Sequence, residues 1–254
     1  MTTNPLKIGV ISLFPEMFNA LNYGVVGRQL RSDHVALNFF NPRKYANNQH
    51  GYIDDSPYGG GPGMIMQAPP LIKAMQAAEK NIPNAMRILV TPNGTPLTHQ
   101  LVKEIADRKA IIIACGRYEG VDQRFVDAAI DLEISIGDFI LSGGELAAMS
   151  LIDAVIRLQP KALGDPNSAM QDSFSDGLLE AHQYTRPKTL ENRSVPSVLL
   201  CGDHAQIARW RRRQSLGLTW QRRPELLDLV DLTEQDKALL EDFKAELNKG
   251  NQSE

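Results

Sequence analysis

Cysteine and long apolar runs are scarce in this chain, and each scarcity removes a class of protein. Two cysteines, Cys115 and Cys201, stand far apart with no metal-ligand spacing around either. That excludes a disulfide scaffold and a zinc module and fits reduced thiols in a cytoplasmic protein. The longest purely apolar stretch is residues 110–115, far short of the roughly 20 residues that span a bilayer. Residues 1–10 carry no basic stretch ahead of an apolar core, so no secretory signal and no membrane partner are expected. A phosphate fingerprint is missing too. No G-x-G-x-x-G follows the first strand pattern, and the glycine-dense residues 59–63 lack the lysine and hydroxyl of a P-loop. They read as a tight turn or as part of some other ligand loop.

What is present is a chain of 254 residues, 43% hydrophobic and 22% charged, long enough for one large or two modest domains. Its net charge of −3 hides a local asymmetry. Residues 200–223 hold six arginines (Arg209, Arg211, Arg212, Arg213, Arg222, Arg223) against Asp203, whereas residues 224–254 hold nine acids against three lysines. A basic block of this kind is a solvated helix face or a nucleic-acid surface.

Short apolar runs alternate with helical patterns over the first 160 residues. Strands are predicted over 7–13, 35–40, 87–91, 110–115 and 130–136. Helices are predicted from the proline turn at 14–18 and over 69–80, 98–108, 122–129 and 145–158. This alternation implies an α/β domain with a mainly parallel sheet over 1–160. Two irregular stretches, 41–63 and 160–185, are long enough to be functional. Residues 161–185 read as a flexible interdomain linker. Residues 186–254 read as a small α-helical domain, with helices over 204–215 and 233–248 and a short piece from Pro224.

The most informative features are two strands that run into glycines, at 116–120 and 137–144. Glycine lets a backbone approach a ligand closely, and strand ends are where α/β sheets bind small molecules. Apolar side chains interleave these glycines, which favours an aromatic ring with an uncharged or zwitterionic tail.

The motifs Phe14-Pro15-Glu16-Met17-Phe18, Pro57-Tyr58-Gly59-Gly60-Gly61-Pro62-Gly63-Met64 and Cys115-Gly116-Arg117-Tyr118-Glu119-Gly120-Val121-Asp122 occur in order along the chain. They are followed by Ser135-Ile136-Gly137-Asp138-Phe139-Ile140-Leu141-Ser142-Gly143-Gly144-Glu145-Leu146 and Tyr184-Thr185-Arg186-Pro187. Together they resemble the bacterial tRNA (guanine-N1)-methyltransferase family, TrmD, of the SPOUT superfamily. Arg209-Trp210-Arg211 and Gln214-Ser215-Leu216-Gly217 fit its C-terminal region.

The resemblance implies a deep trefoil-knotted parallel-sheet domain plus a small helical domain, and a cytoplasmic homodimer with shared active sites. It also implies S-adenosylmethionine as methyl donor and tRNA with guanosine at position 37 as substrate. Magnesium is implied as well, but no ligands for it can be assigned. Carried over by position, the cofactor residues are Leu89, Val90, Thr91, Pro92, Gly116, Tyr118, Glu119, Gly120, Ile136, Gly137, Asp138, Phe139, Ile140, Leu141, Gly143 and Gly144. Asp172 matches the general base and Arg157 the arginine that assists it. Asp55, Arg117, His182, Arg186, Arg209, Trp210 and Arg211 are the expected substrate contacts. Taken alone, Asp172 would be a turn residue or helix cap. Leu89, Asn93, Phe139 and Ala147 depart from residues commoner in the pattern. Two rival readings remain open: a small-molecule enzyme with a Rossmann-like nucleotide site, and an RNA-binding protein without catalysis.

Overall fold

The computed structural model describes residues 5–32, 34–164 and 172–251. The chain forms two compact units, Met1–Gly164 and Asp165–Glu254.

The first unit is α/β. Its strands are β1 (Leu6–Ile11), β2 (Val35–Phe40), β3 (Asp54–Asp55), β4 (Ile65–Met66), β5 (Met86–Pro96), β6 (Ala110–Cys115) and β7 (Leu132–Ser135). Five of them make one parallel sheet in the order β2-β1-β6-β5-β7, while β3 and β4 form a separate antiparallel pair. The helices are α1 (Gly24–Arg31), α2 (Ala68–Asn81), α3 (His99–Ala106), α4 (Gln123–Ala129) and α5 (Glu145–Arg157).

Strand β6 shows why both faces of the sheet must be covered. Ile111, Ile113 and Cys115 pack with α1, α3 and α5, whereas Ile112 and Ala114 pack with α2 and α4. Side chains alternate across a strand, so an apolar run needs a helical layer on each side. Each buried isoleucine contributes about 1.5–3 kcal/mol to that packing. Helix starts follow their caps: the Thr98 hydroxyl accepts from the Leu101 N–H at 3.2 Å, and the Asp122 carboxylate from the Arg124 N–H at 2.9 Å.

In the second unit, α6 (His204–Arg222) and α7 (Glu234–Asn251) contribute Leu216, Leu239 and Leu240 to a small core with Leu178. A short hairpin, β8 (Thr189–Leu190) with β9 (Arg193–Ser194), precedes them.

The structure departs from the pattern reading in four places. The segment after Phe14 is a 3₁₀ helix, Pro15–Asn22, and the α-helix begins only at Gly24. Residues 41–63 hold a 3₁₀ turn and strand β3. Helix α6 does not stop at Ser215 but runs on to Arg222. Gly217 lies inside it because the Phe243 ring packs where a Cβ would stand, so this glycine serves helix contact rather than termination. The fourth place is the stretch expected as linker. It includes residues 165–171, which lie outside the described residues. From 172 onward the chain is bonded to α6: the Leu179 N–H donates to the Thr219 hydroxyl at 3.0 Å, and the Ser215 hydroxyl donates to the Leu179 carbonyl at 2.5 Å. Leu178 is fully buried.

Candidate functional site

Adjacent parallel strands β6, β5 and β7 release three loops side by side at their carboxyl ends, and a cavity of about 470 Å³ lies among them. Its walls come from Leu89 to Asn93, Gly116 to Val121, and Glu133 to Leu141 (Asp138 excepted), with Gly143, Gly144 and Ala147 on the following helix entry. The β5 loop exists because the β5–β7 register breaks. Ile134 pairs with Val90 and again with Thr95, so residues 91–94 are pushed out of the ladder towards the cavity.

The other two loops are clamped on each other. The Gly144 N–H donates to the Gly116 carbonyl at 2.9 Å, and Arg117 and Gly143 form an antiparallel bridge. A Cβ on Gly143 would fall on the Arg117 guanidinium, and one on Gly144 would sit 2.8 Å from Val90. Only glycines allow this approach.

Beneath the clamp is a buried ionic group. Glu145, the first residue of α5, has no solvent exposure. Its Oε1 accepts from the Ser12 hydroxyl at 2.8 Å and its Oε2 from Arg117 Nε at 2.9 Å. Arg117 also donates to the Ser142 carbonyl at 3.1 Å and lies 4.5 Å above the Phe14 ring centroid. One carboxylate thereby ties the end of β1 to both glycine loops. Its proximity adds to the effect of burial on Cys115, whose thiol is held well above its usual range. Cys115 is accordingly inert packing.

The second unit has a cavity of about 420 Å³, lined by His182, Tyr184, Arg186, Lys188 and Arg211 with apolar Leu199, Leu200 and Ile207. The Tyr184 and Trp210 rings stand 6.3 Å apart beside it. The basic block divides sharply here. Arg212 is held by Asp236 (2.7 and 3.1 Å) and Asp176 (2.7 Å), and Arg213 pairs with Glu246 and faces the Phe243 ring. Arg209 is mostly exposed, 4.0 Å from Asp242. Arg211 is exposed at the cavity edge. Helix α7 thus neutralises the inward arginines and leaves the outward ones to solvent.

Asp236 is the centre of that neutralisation. Hydrogen bonds from Arg212, with further ones from Thr233, outweigh the opposing cost of burial and lower its pKa to about 2. Thr233 and Asp236 also cap α7 reciprocally, each side chain meeting the other's backbone N–H. Because an unfolded aspartate titrates near ~4, the stabilisation is fully present above about pH 5 and fades as pH falls towards 2. D236N is expected to destabilise the second unit by about 2 kcal/mol at neutral pH, a gap that closes on acidification. Both tryptophans, Trp210 and Trp220, lie in that unit, so fluorescence-detected urea unfolding at pH 7 and pH 3 measures it.

Of the residues expected to hold a cofactor, all but Asp138 line the first cavity, and Arg117 joins them. Asp138 is exposed. All four departures from the common pattern, Leu89, Asn93, Phe139 and Ala147, are lining residues as well. Asp55 lies on β3, its carboxylate accepting from the Ser56 N–H at 2.8 Å. Arg157 closes α5 in the first unit. Asp172 belongs to the second, where its carbonyl accepts from the Ser175 N–H at 3.2 Å and the Ser175 hydroxyl at 2.6 Å. His182, Arg186 and Arg211 meet at the second cavity.

Sequence reasoning missed Val121, Gln123, Val126, Glu133, Ile134 and Ser135 in the cavity wall, and the role of Glu145. A signal for Glu145 did exist. It shares a helical stripe with Ala148, Ile152 and Ile156, all buried, and an acid on an apolar stripe calls for an internal partner.

Among the described residues, no group of three or more His, Cys, Asp or Glu is placed to hold a metal ion. Nor is any helix among them long and apolar enough to cross a membrane.

Comparison with known proteins gives a consistent picture. The family described as "tRNA (Guanine-1)-methyltransferase TrmD" matches residues 6–229. Proteins named tRNA (guanine-N(1)-)-methyltransferase are similar over nearly the whole chain. The one from Pseudoalteromonas atlantica is 51% identical over 247 residues, covering 96% of this chain and 93% of its own. That from Pseudoalteromonas translucida is 52% identical over 249 residues, 97% of this chain and 98% of its own. That from Coxiella burnetii is 52% identical over 239 residues, 94% and 97%.

Proposed function

The chain belongs to the tRNA (guanine-1)-methyltransferase TrmD family, and from that premise we propose that it methylates N1 of the guanosine at position 37 of tRNA, next to the anticodon, with S-adenosylmethionine as donor. The observation that carries the donor site is the glycine-clamped cavity of about 470 Å³ at three adjacent strand ends. It suits the donor's parts. Val90, Ile136 and Leu141 offer apolar walls to an adenine ring, and the peptide edges of the glycine loops offer its hydrogen-bond partners. Tyr118 and Glu119 present a π face and a negative charge to a sulfonium.

When bound, the donor supplies an electrophilic methyl group. The protein's task is then a proton. Guanine N1 carries hydrogen, so its lone pair becomes available only as a base removes that proton. Asp172 takes it, and Arg157 stabilises the negative charge developing at O6. No position for magnesium is part of this reading.

The second unit is the RNA-binding part of the proposal. Arg186, Lys188 and Arg211 around a cavity, beside the Tyr184–Trp210 ring pair, suit phosphate contacts with base stacking. Arg211→Gln is expected to weaken tRNA binding and reduce the salt slope by about 1. A titration of affinity against potassium chloride measures it.

The knotted path of the SPOUT superfamily, the cytoplasmic setting and a homodimer sharing its active sites complete the proposal. In support of a dimer, Phe139, Ile140 and Leu146 are large apolar side chains left exposed near the donor loops. The test of function is transfer of radiolabelled methyl from S-adenosylmethionine to a tRNA transcript with guanosine at 36 and 37. The expected product is N1-methylguanosine, lost when position 37 is adenosine. Absence of transfer to the guanosine transcript would refute the reading, as would donor-independent binding of a dinucleotide in the first cavity.

A further inference from the structure

Arg212 stands in the middle of the basic block, yet its guanidinium is turned inward. Nε and Nη2 bond both carboxylate oxygens of Asp236, and Nη1 bonds Asp176 Oδ2. Asp176 belongs to the turn that carries Asp172. In that turn Asp176 Oδ1 accepts from the Leu178 N–H at 3.2 Å, and the Phe174 N–H donates to the Leu178 carbonyl at 2.6 Å. The Ser173 hydroxyl accepts from the Glu180 N–H at 3.0 Å. The turn is fastened to α6 at its end by Leu178, buried in one core with Leu216, and by the Leu179 bonds to Ser215 and Thr219. The Arg212–Asp176 pair holds its middle.

We infer that Arg212 is a positioning residue for catalysis: through Asp176 it fixes the turn bearing Asp172, and its charge is spent inside the unit rather than on RNA phosphate. This rests on Asp172 being the base. The bidentate bond to Asp236 sets the guanidinium plane, and a fixed plane aims Nη1 at Asp176. Releasing that contact lets the turn drift, and a misplaced catalytic group of about 1 Å costs on the order of a hundredfold in rate.

The test compares R212Q, R212K and D176N with the wild type, at saturating tRNA and donor, alongside tRNA binding across a salt series. R212Q is expected to lower kcat by about 10- to 100-fold while tRNA affinity and its salt slope stay as in the wild type. R212K, which keeps the charge but not the fork, is expected in between. D176N retains the Oδ1 acceptor for Leu178 and replaces the anionic Oδ2 facing Arg212 with an amide N–H donor, which breaks that bond. It is expected to lower kcat severalfold with unchanged KM for tRNA, and it decides the matter should R212Q fail to fold. A loss of salt slope with kcat intact would overturn the inference by making Arg212 an RNA contact, and an unchanged kcat in D176N would overturn it outright. Failure of the underlying reading shows separately, as full activity in D172A.

Discussion

Asp172→Asn is expected to lower kcat by about 10²–10⁴-fold, because the amide cannot accept the N1 proton and general-base catalysis of this kind contributes that much. Donor affinity should stay at the wild-type value, since Asp172 is not among the residues lining the first cavity. Single-turnover transfer separates the chemical step from product release, and equilibrium dialysis with labelled donor gives the affinity. Loss of donor binding in this variant would instead place the residue in the cofactor site. Retention of full transfer would remove the base assignment altogether.

Glu145→Ala is expected to have the largest effect on stability, costing about 3–5 kcal/mol, the usual penalty for removing one partner of a buried ion pair. Arg117 would keep a largely buried charge without its carboxylate, and the Ser12 hydroxyl would lose its acceptor. The damage should be local before it is global. Hydrogen exchange is expected to rise first at the amides of the Gly116 and Gly143 loops, with donor affinity falling in parallel. Protection of the central β6 amides follows only as the whole unit weakens. Unchanged exchange in the two loops would show that the glycine clamp stands without its ionic base.

Much of this protein was legible from its residues. The run 110–115 is apolar on both faces, and only a central strand of a covered parallel sheet accommodates that. Thr98 marks a helix start because its hydroxyl accepts from the Leu101 N–H, and the structure shows Asp122 and Asp203 capping helices by accepting from N–H groups two residues on. The glycine pairs at 116–120 and 143–144 marked a place of close backbone approach. The continuation of α6 past Gly217 was not legible, because the reason is a ring on another helix.

The charge pattern divides the two levels of information most clearly. Composition and order along the chain determined that arginines crowd residues 209–223 and acids follow them, and hydrophobic periodicity determined which segments become strands or helices. Which arginine stays at the surface and which is consumed internally was decided only when α7 packed on α6, placing Asp236 and Glu246 against Arg212 and Arg213 but leaving Arg211 outside. Likewise, nothing in the spacing of Ser12, Arg117 and Glu145 joins them. They meet because parallel strands bring distant carboxyl ends to one edge, where burial makes a carboxylate and a guanidinium seek each other. Local preference is written in neighbouring residues, whereas the pairing of charges depends on distances through space that exist only after the layers close.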